Sequence, residues 1–310
     1  MKKLLASALL VLTLVSPPAF AEGAAPLKVV ATFSILGDLT KQVGGDLVEV
    51  KTLVGHDGDA HTYKPSPNDS KALAQAGLVI ENGLGMEGWV DRLVAASGYK
   101  GRVIVASEGV MPRQMDADEE EGHHEQHDEG GKMTDPHAWQ DVSNARIYVK
   151  NIAEALSAAL PEKAELVKAR AKAYDADLEK LDAWVKAQLE PIPVAQRKII
   201  TSHDAFGYFG AAYGVTFMSP QGISTEVEPT ATQVAKLIDQ MKDEKNKRVF
   251  FENMASPRLV SRLAKDGGAS VGKPVYSDAL SQVKEPAGTY MDMFRYNVGQ
   301  FAEAMVLNGK

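Results

Sequence analysis

Short runs of β-branched and apolar residues alternate along the chain with stretches whose apolar positions recur every three or four residues. Residues 28–32 predict a buried strand, 38–43 a helix stopped by Gly44-Gly45, and 48–54 a second strand. Ser66-Pro67-Asn68-Asp69 carries a helix start, with proline in the first turn. Residues 78–82 and 102–106 are further strands, with a helix over 89–96 between them. Such βα alternation predicts a mainly parallel sheet covered by helices.

The pattern breaks over 111–133, where Asp116, Asp118, Glu119, Glu120 and Glu121 crowd together with His123, His124, His127 and Gly130-Gly131. A segment so polar cannot bury a face, and a mobile loop is expected. Helical spacing then returns over 145–159 and runs on from Pro161 to a stop at Pro191-Ile192-Pro193. A helix over 161–190 would extend about 40 Å, longer than one lobe needs, and reads as a rigid connector. The βα pattern restarts after it. Strands are predicted over 198–201, 215–218, 248–252 and 274–277, and helices over 229–242, 257–265 and 290–307. The expected fold is α/β: two βα lobes with mainly parallel sheets, 22–160 and 191–310, joined by one long helix. No repeat of 20–50 residues is visible, which excludes a solenoid or propeller.

The first 21 residues are set apart by composition. Lys2 and Lys3 precede an apolar run over 4–15, and Ala19-Phe20-Ala21 supplies a small-x-small cleavage site. This predicts a secretory signal peptide cut after Ala21, because the apolar run falls short of the roughly 20 residues a transmembrane helix needs. The 310-residue chain has no cysteine, which excludes disulfides and thiolate metal sites. It also leads to the expectation of a periplasmic protein that is not lipid-anchored. A net charge of −7 argues against nucleic acid and anionic membranes as partners. The 45 % hydrophobic share excludes a largely disordered chain.

Four histidines outside the acidic loop lie where strands end: His56, His61, His137 and His203. Ligands of α/β sheets collect just beyond the carboxyl ends of strands. His61, His137 and His203 supply three imidazoles, and Asp278, after the predicted 274–277 strand, would complete a tetrahedral site in the cleft between lobes. His56, in the loop before His61, is either a spare ligand or, as more often for such a residue, simply solvent-exposed. Gly83-Leu84-Gly85-Met86-Glu87-Gly88 matches a dinucleotide-binding fingerprint, yet Glu87 would repel a pyrophosphate, and a tight turn is expected instead. Ser202-His203-Asp204 spells triad letters, but adjacent residues cannot hold triad geometry. No catalytic residue is nominated.

Six stretches in order resemble the metal-binding solute-binding proteins of ABC importers, cluster A-I. They are 31–38, Asp59-Ala60-His61-Thr62-Tyr63-Lys64-Pro65-Ser66-Pro67, Asp135-Pro136-His137-Ala138-Trp139, 201–209, 225–230 and Tyr276-Ser277-Asp278-Ala279-Leu280. The resemblance implies two α/β lobes joined by one long rigid helix. It also implies capture of Zn2+ as a transported ligand and delivery to a membrane permease, with a periplasmic zinc chaperone as a candidate partner and the chain acting as a monomer. Members with histidine as the third ligand are mostly zinc proteins, whereas glutamate there is typical of manganese members; this chain has His203. Three imidazoles and a carboxylate suit zinc, since manganese prefers more oxygen ligands. His123, His124 and His127 are candidates for weak auxiliary metal capture. A manganese or iron(II) carrier of the same fold is the alternative. An exported zinc hydrolase is a weaker one, because four protein ligands leave no open position for water.

Overall fold

Leu27–Phe33 forms β1, and its last five residues are all buried, as expected of a strand covered on both faces. A computed structural model describes residues 25–116, 132–244 and 246–310 of the chain. The predicted signal peptide and His123, His124 and His127 lie outside these described residues. β1 runs into α1 (Ser34–Gly44) and is flanked by β2 (Val48–Val54) and β3 (Leu78–Glu81). α2 (Pro67–Ala74), α3 (Val90–Ser97) and β4 (Arg102–Val105) complete a four-stranded parallel sheet of order β2-β1-β3-β4. Val29 stands opposite both Val50 and Leu78, which sets the register.

The predicted loop over 111–133 is bounded by structure at both ends. Arg113–Asp116 (β5) and Lys132–Asp135 (β6) pair antiparallel, Arg113 opposite Asp135. β6 delivers the chain to α4 (Val142–Ala159), whose start is capped by Asp141 accepting from the Ser143 N–H at 2.8 Å.

α5 (Ala164–Leu189) has 26 residues and so extends about 39 Å. Val167, Ala171, Tyr174, Leu178, Leu181, Val185 and Leu189 are its buried positions, spaced three or four apart. The helix does link the two sheets along the chain. It is more than a spacer, however: it packs on α4, on α1 and on the final helix, α9 (Tyr290–Asn308).

The second sheet is also parallel, of order β10-β9-β7-β8, and its strands are short: β7 (Lys198–Ile200), β8 (Thr216–Met218), β9 (Arg248–Val249) and β10 (Ser270–Val271). α6 (Gly207–Tyr213), α7 (Ala231–Asp243) and α8 (Pro257–Gly267) cover it. The predicted strand over 274–277 is reduced to a single parallel bridge between Glu252 and Val275. Here the backbone leaves the sheet to follow partners in the first lobe, as the site shows.

Candidate metal centre

Each of the four candidate ligands leaves a strand at its carboxyl end. His61 lies between β2 and α2, His137 directly after β6, His203 after β7, and Asp278 three residues past the bridged Val275. Two of the turns are built alike. Asp59 Oδ1 accepts from the His61 N–H at 2.9 Å, and Asp135 Oδ1 accepts from the His137 N–H at 3.0 Å. An aspartate bonding the backbone two residues on is the usual stabiliser of such a turn.

Asp278 follows the second sheet, yet its neighbours are seated on the first lobe. The Trp139 ring N–H and the Gln140 amide both donate to Ser277 O, at 2.9 and 2.8 Å. Leu280 N–H donates to Ser34 Oγ at 2.9 Å, and Leu280 O accepts from Asp57 N–H at 3.0 Å. The 277–280 segment is therefore held between the lobes.

These turns bring the four side chains into one buried cluster, with one donor atom from each lying within 4.8 Å of all the others. His61 Nε2 is 3.2 Å from His137 Nε2 and 3.4 Å from Asp278 Oδ2. His203 Nε2 is 3.3 Å from Asp278 Oδ2, and His137 Nε2 is 3.6 Å from Asp278 Oδ1. The other three side chains are wholly buried and that of His61 is 6 % exposed. His203 Nε2 and both Asp278 oxygens are buried without a hydrogen-bond partner. Buried polar atoms pointing at one another in this way are costly unless something joins them.

The electrostatics reflect that arrangement. Burial pushes the Asp278 carboxyl up, but His203 and His137 outweigh it and hold the group well below the usual carboxylate range. Burial pushes His203 down, and the Glu252 and Asp278 charges outweigh it, leaving that imidazole well above its ordinary value. His61 is pushed down, mainly by burial, with Asp278 opposing. A cation bound here competes with a proton for the His203 nitrogen, because imidazole must be deprotonated there to ligate.

Two of the rings are also held from behind. Asp135 Oδ1 is 2.8 Å from His137 Nδ1, and Glu252 Oε2 is 3.0 Å from His203 Nδ1. Asp135 and Asp59 carry a sequence signal, the Asp-x-His spacing. Glu252 carries none, since it stands 49 positions from His203 and meets it only through the second sheet. His56 is not part of the cluster. The glycine turn at 83–88 is occupied by its own chain: Glu87 accepts from the Asn82 and Gly83 N–H groups at 2.7 and 3.2 Å and from the Thr32 hydroxyl at 2.6 Å. Glu87 thus caps the start of the turn with its own carboxylate, and the Met86 N–H closes it on Gly83 O at 3.2 Å, so the dinucleotide fingerprint is a tight turn.

Residues 29–304 match the family described as zinc-uptake complex component A, periplasmic (ZnuA). The chain belongs to this family. It is a periplasmic metal-binding component of an ABC importer, with a membrane permease as partner, and the family is one of solute-binding proteins rather than enzymes. The manganese-binding lipoprotein MntA of Halalkalibacterium halodurans is 33 % identical over 279 residues, 90 % of this chain and 88 % of that protein. The manganese ABC transporter substrate-binding lipoprotein PsaA of Streptococcus pneumoniae is 33 % identical over 285 residues, 90 % and 89 % of the two chains. Among solved structures, the periplasmic zinc-binding protein TroA of Treponema pallidum superposes with a TM-score of 0.81 at 28 % identity, covering 90 % of this chain and 99 % of that one. The comparisons support a divalent metal as cargo. They also correct one expectation. MntA and PsaA are named as lipoproteins, which a lipid chain holds at a membrane surface, and this overturns the expectation that the protein is not lipid-anchored. A location outside the cytoplasm fits them.

Proposed function

We propose that the protein captures zinc between its lobes, through His61, His137, His203 and Asp278, and presents it to the importer's permease. The observation that carries this reading is the donor spacing. Ligand atoms about 2.0–2.1 Å from a tetrahedral zinc ion stand about 3.3–3.4 Å from one another, and the three pairs that join His61 to His137 and both His61 and His203 to Asp278 Oδ2 measure 3.2, 3.4 and 3.3 Å. Three imidazoles and one carboxylate are also a nitrogen-rich set, on which zinc outranks manganese and iron(II). With four protein donors around the ion, no open position is left for a catalytic water. The same reading assigns 22–160 and 191–310 to the two lobes and 161–190 to the helix between them.

Manganese or iron(II) is the second reading. It is favoured by Asp278, whose two oxygens both face histidines of the cluster and could bind an ion together, and by the metal named for MntA and PsaA. Titration of metal-stripped protein with zinc in the presence of manganese distinguishes them. Zinc is expected to displace manganese, and His137→Ala to weaken zinc binding by orders of magnitude while the fold persists. Equal affinity for the two metals would sink the zinc reading, and an unaffected His137→Ala would remove that residue from the site.

A further inference from the structure

Glu252 lies at the far side of His203 from the other three candidate ligands, and it is fully buried. Its Oε1 accepts from the Ser202 N–H at 2.9 Å and, more weakly, from the His203 N–H at 3.4 Å. Its Oε2 is 3.0 Å from His203 Nδ1. In return the Glu252 N–H donates to Ser202 Oγ at 3.2 Å. Both carboxylate oxygens thus face N–H donors, so this is an acceptor-only position. It fixes the ring proton of His203 on Nδ1 and turns the Nε2 lone pair toward the cluster.

Asp135 plays the same part behind His137, but it shares its charge with Arg113, whose guanidinium is 3.4 Å away. Glu252 has no Lys or Arg partner among the described residues; His203 is its only ion-pair partner there. Asp278 likewise has only histidines around it. Two buried carboxylates without a fixed counter-charge, one in the cluster and one directly behind a ring, match the two positive charges of a divalent cation. A buried charge needs such compensation.

We propose that Glu252 is a positioning residue for metal capture: acting through His203, it orients the ring, and its carboxylate at Nδ1 makes the Nε2 lone pair that meets a divalent ion more basic. The proposal rests on the reading of His203 as a ligand. It gives Glu252 a role that the cluster of four does not contain, and it predicts that the residue's effect vanishes when the ring it holds is gone.

The test is a double-mutant cycle on the full chain, with zinc affinity read by competition with a chromophoric chelator. Glu252→Gln is expected to weaken zinc binding by roughly 10- to 100-fold, the usual cost of removing such a partner from a metal-bound histidine. In a His203→Ala background the same substitution is expected to change affinity less than about twofold. Glu252→Asp, which keeps the charge, is expected to recover part of the loss, and it serves as the readout should Glu252→Gln fail to fold. An equal loss in both backgrounds would mean that Glu252 acts on the fold rather than through the ring, and an unchanged Glu252→Gln would remove its role; either overturns the proposal. Failure of the ligand reading is distinguishable, because His203→Ala would then retain full affinity by itself.

Discussion

Glu87 and Glu252 are both buried glutamates fixed by backbone N–H groups, and their surroundings give them different consequences. Glu252 faces an imidazole, whereas Glu87 faces a hydroxyl and two amides with no cation among its hydrogen-bond partners. Burial therefore dominates at Glu87 and pushes its carboxyl from 4.5 up to about 7, against the three hydrogen bonds that favour the ionised form. Because the folded chain holds this proton more tightly than the unfolded chain, stability is greatest below pH 4.5 as far as this group is concerned. It falls as pH rises from about 4.5 to about 7, and is flat above. The loss is on the order of 3 kcal/mol. Glu87→Gln is expected to abolish this part of the pH dependence, so that the variant gains on the native chain as pH rises. Denaturant unfolding of both proteins without metal at pH 5 and pH 8 measures it, and parallel stability curves would refute it. At this scale the sequence exposes the four candidate ligands themselves, because histidines and an aspartate at strand ends are a pattern along the chain. The residues that hold them are legible only where they are local. Asp59 and Asp135 stand two places before their histidines; Glu252 reaches His203 through strand pairing that no local pattern encodes.

At the scale of elements, α6 lies closer to the site than its sequence suggests. Its first residue, Gly207, packs against the Arg113–Asp135 pair: a methyl group there would overlap the guanidinium and come within 2.7 Å of Asp135 Oδ2. Arg113 is partly exposed and can swing away, but Asp135 is buried and bonded to His137, so the carboxylate has nowhere to go. Gly207→Ala is expected to lower metal affinity about tenfold by displacing the partner of His137, with little change in helix content by circular dichroism. Unaltered affinity would show that the turn accommodates the methyl without moving Asp135. α6 was not among the predicted helices, since Gly207-Tyr208-Phe209-Gly210 offers two glycines and no polar face. The long elements were legible to within a few residues, α4, α5 and α9 among them, because their apolar periodicity persists over many turns. In the second sheet β7 and β8 are legible to within one residue, as 198–201 and 215–218, whereas β10 is not legible and the 248–252 run is cut short. β9 has two residues, and the 274–277 run leaves its sheet for hydrogen bonds to Trp139, Gln140 and Ser34 flanking Asp278, a pull that comes from the other lobe. The β5–β6 pair was hidden by the acidic composition between its strands.

Across the whole molecule, the two lobes do not have independent interiors. One apolar cluster runs from β1, α1 and α4 through α5 to α6, α9 and Val275 of the second lobe. A second, separate cluster holds eight buried apolar side chains among the described residues: Ile200, Val234, Leu237, Met241, Val249, Val260, Leu263 and Ala264. It binds α7 and α8 to the short strands of the second sheet and to little else. Local opening follows the amount of apolar surface that must be exposed, so α7 and α8 are expected to open at a lower free energy than α1, α4, α5 and α9. Metal adds a second discriminator. A bound ion stabilises only those openings that break its site, by about 4 kcal/mol when the ion is present at a thousand times its dissociation constant. His61, His137 and Asp278 are flanked by residues of the large cluster, and none of the four candidate ligands lies on α7 or α8. Native-state hydrogen exchange with and without zinc should therefore show two classes of amide. Those of α1, α4, α5 and α9 should exchange slowly and gain protection when zinc is added, whereas those of α7 and α8 should exchange faster at a rate that zinc leaves nearly unchanged. Uniform protection across all six helices, or zinc protection of α7 and α8 equal to that of α5, would mean that the small cluster opens only together with the rest and that the second lobe moves as one body around the metal.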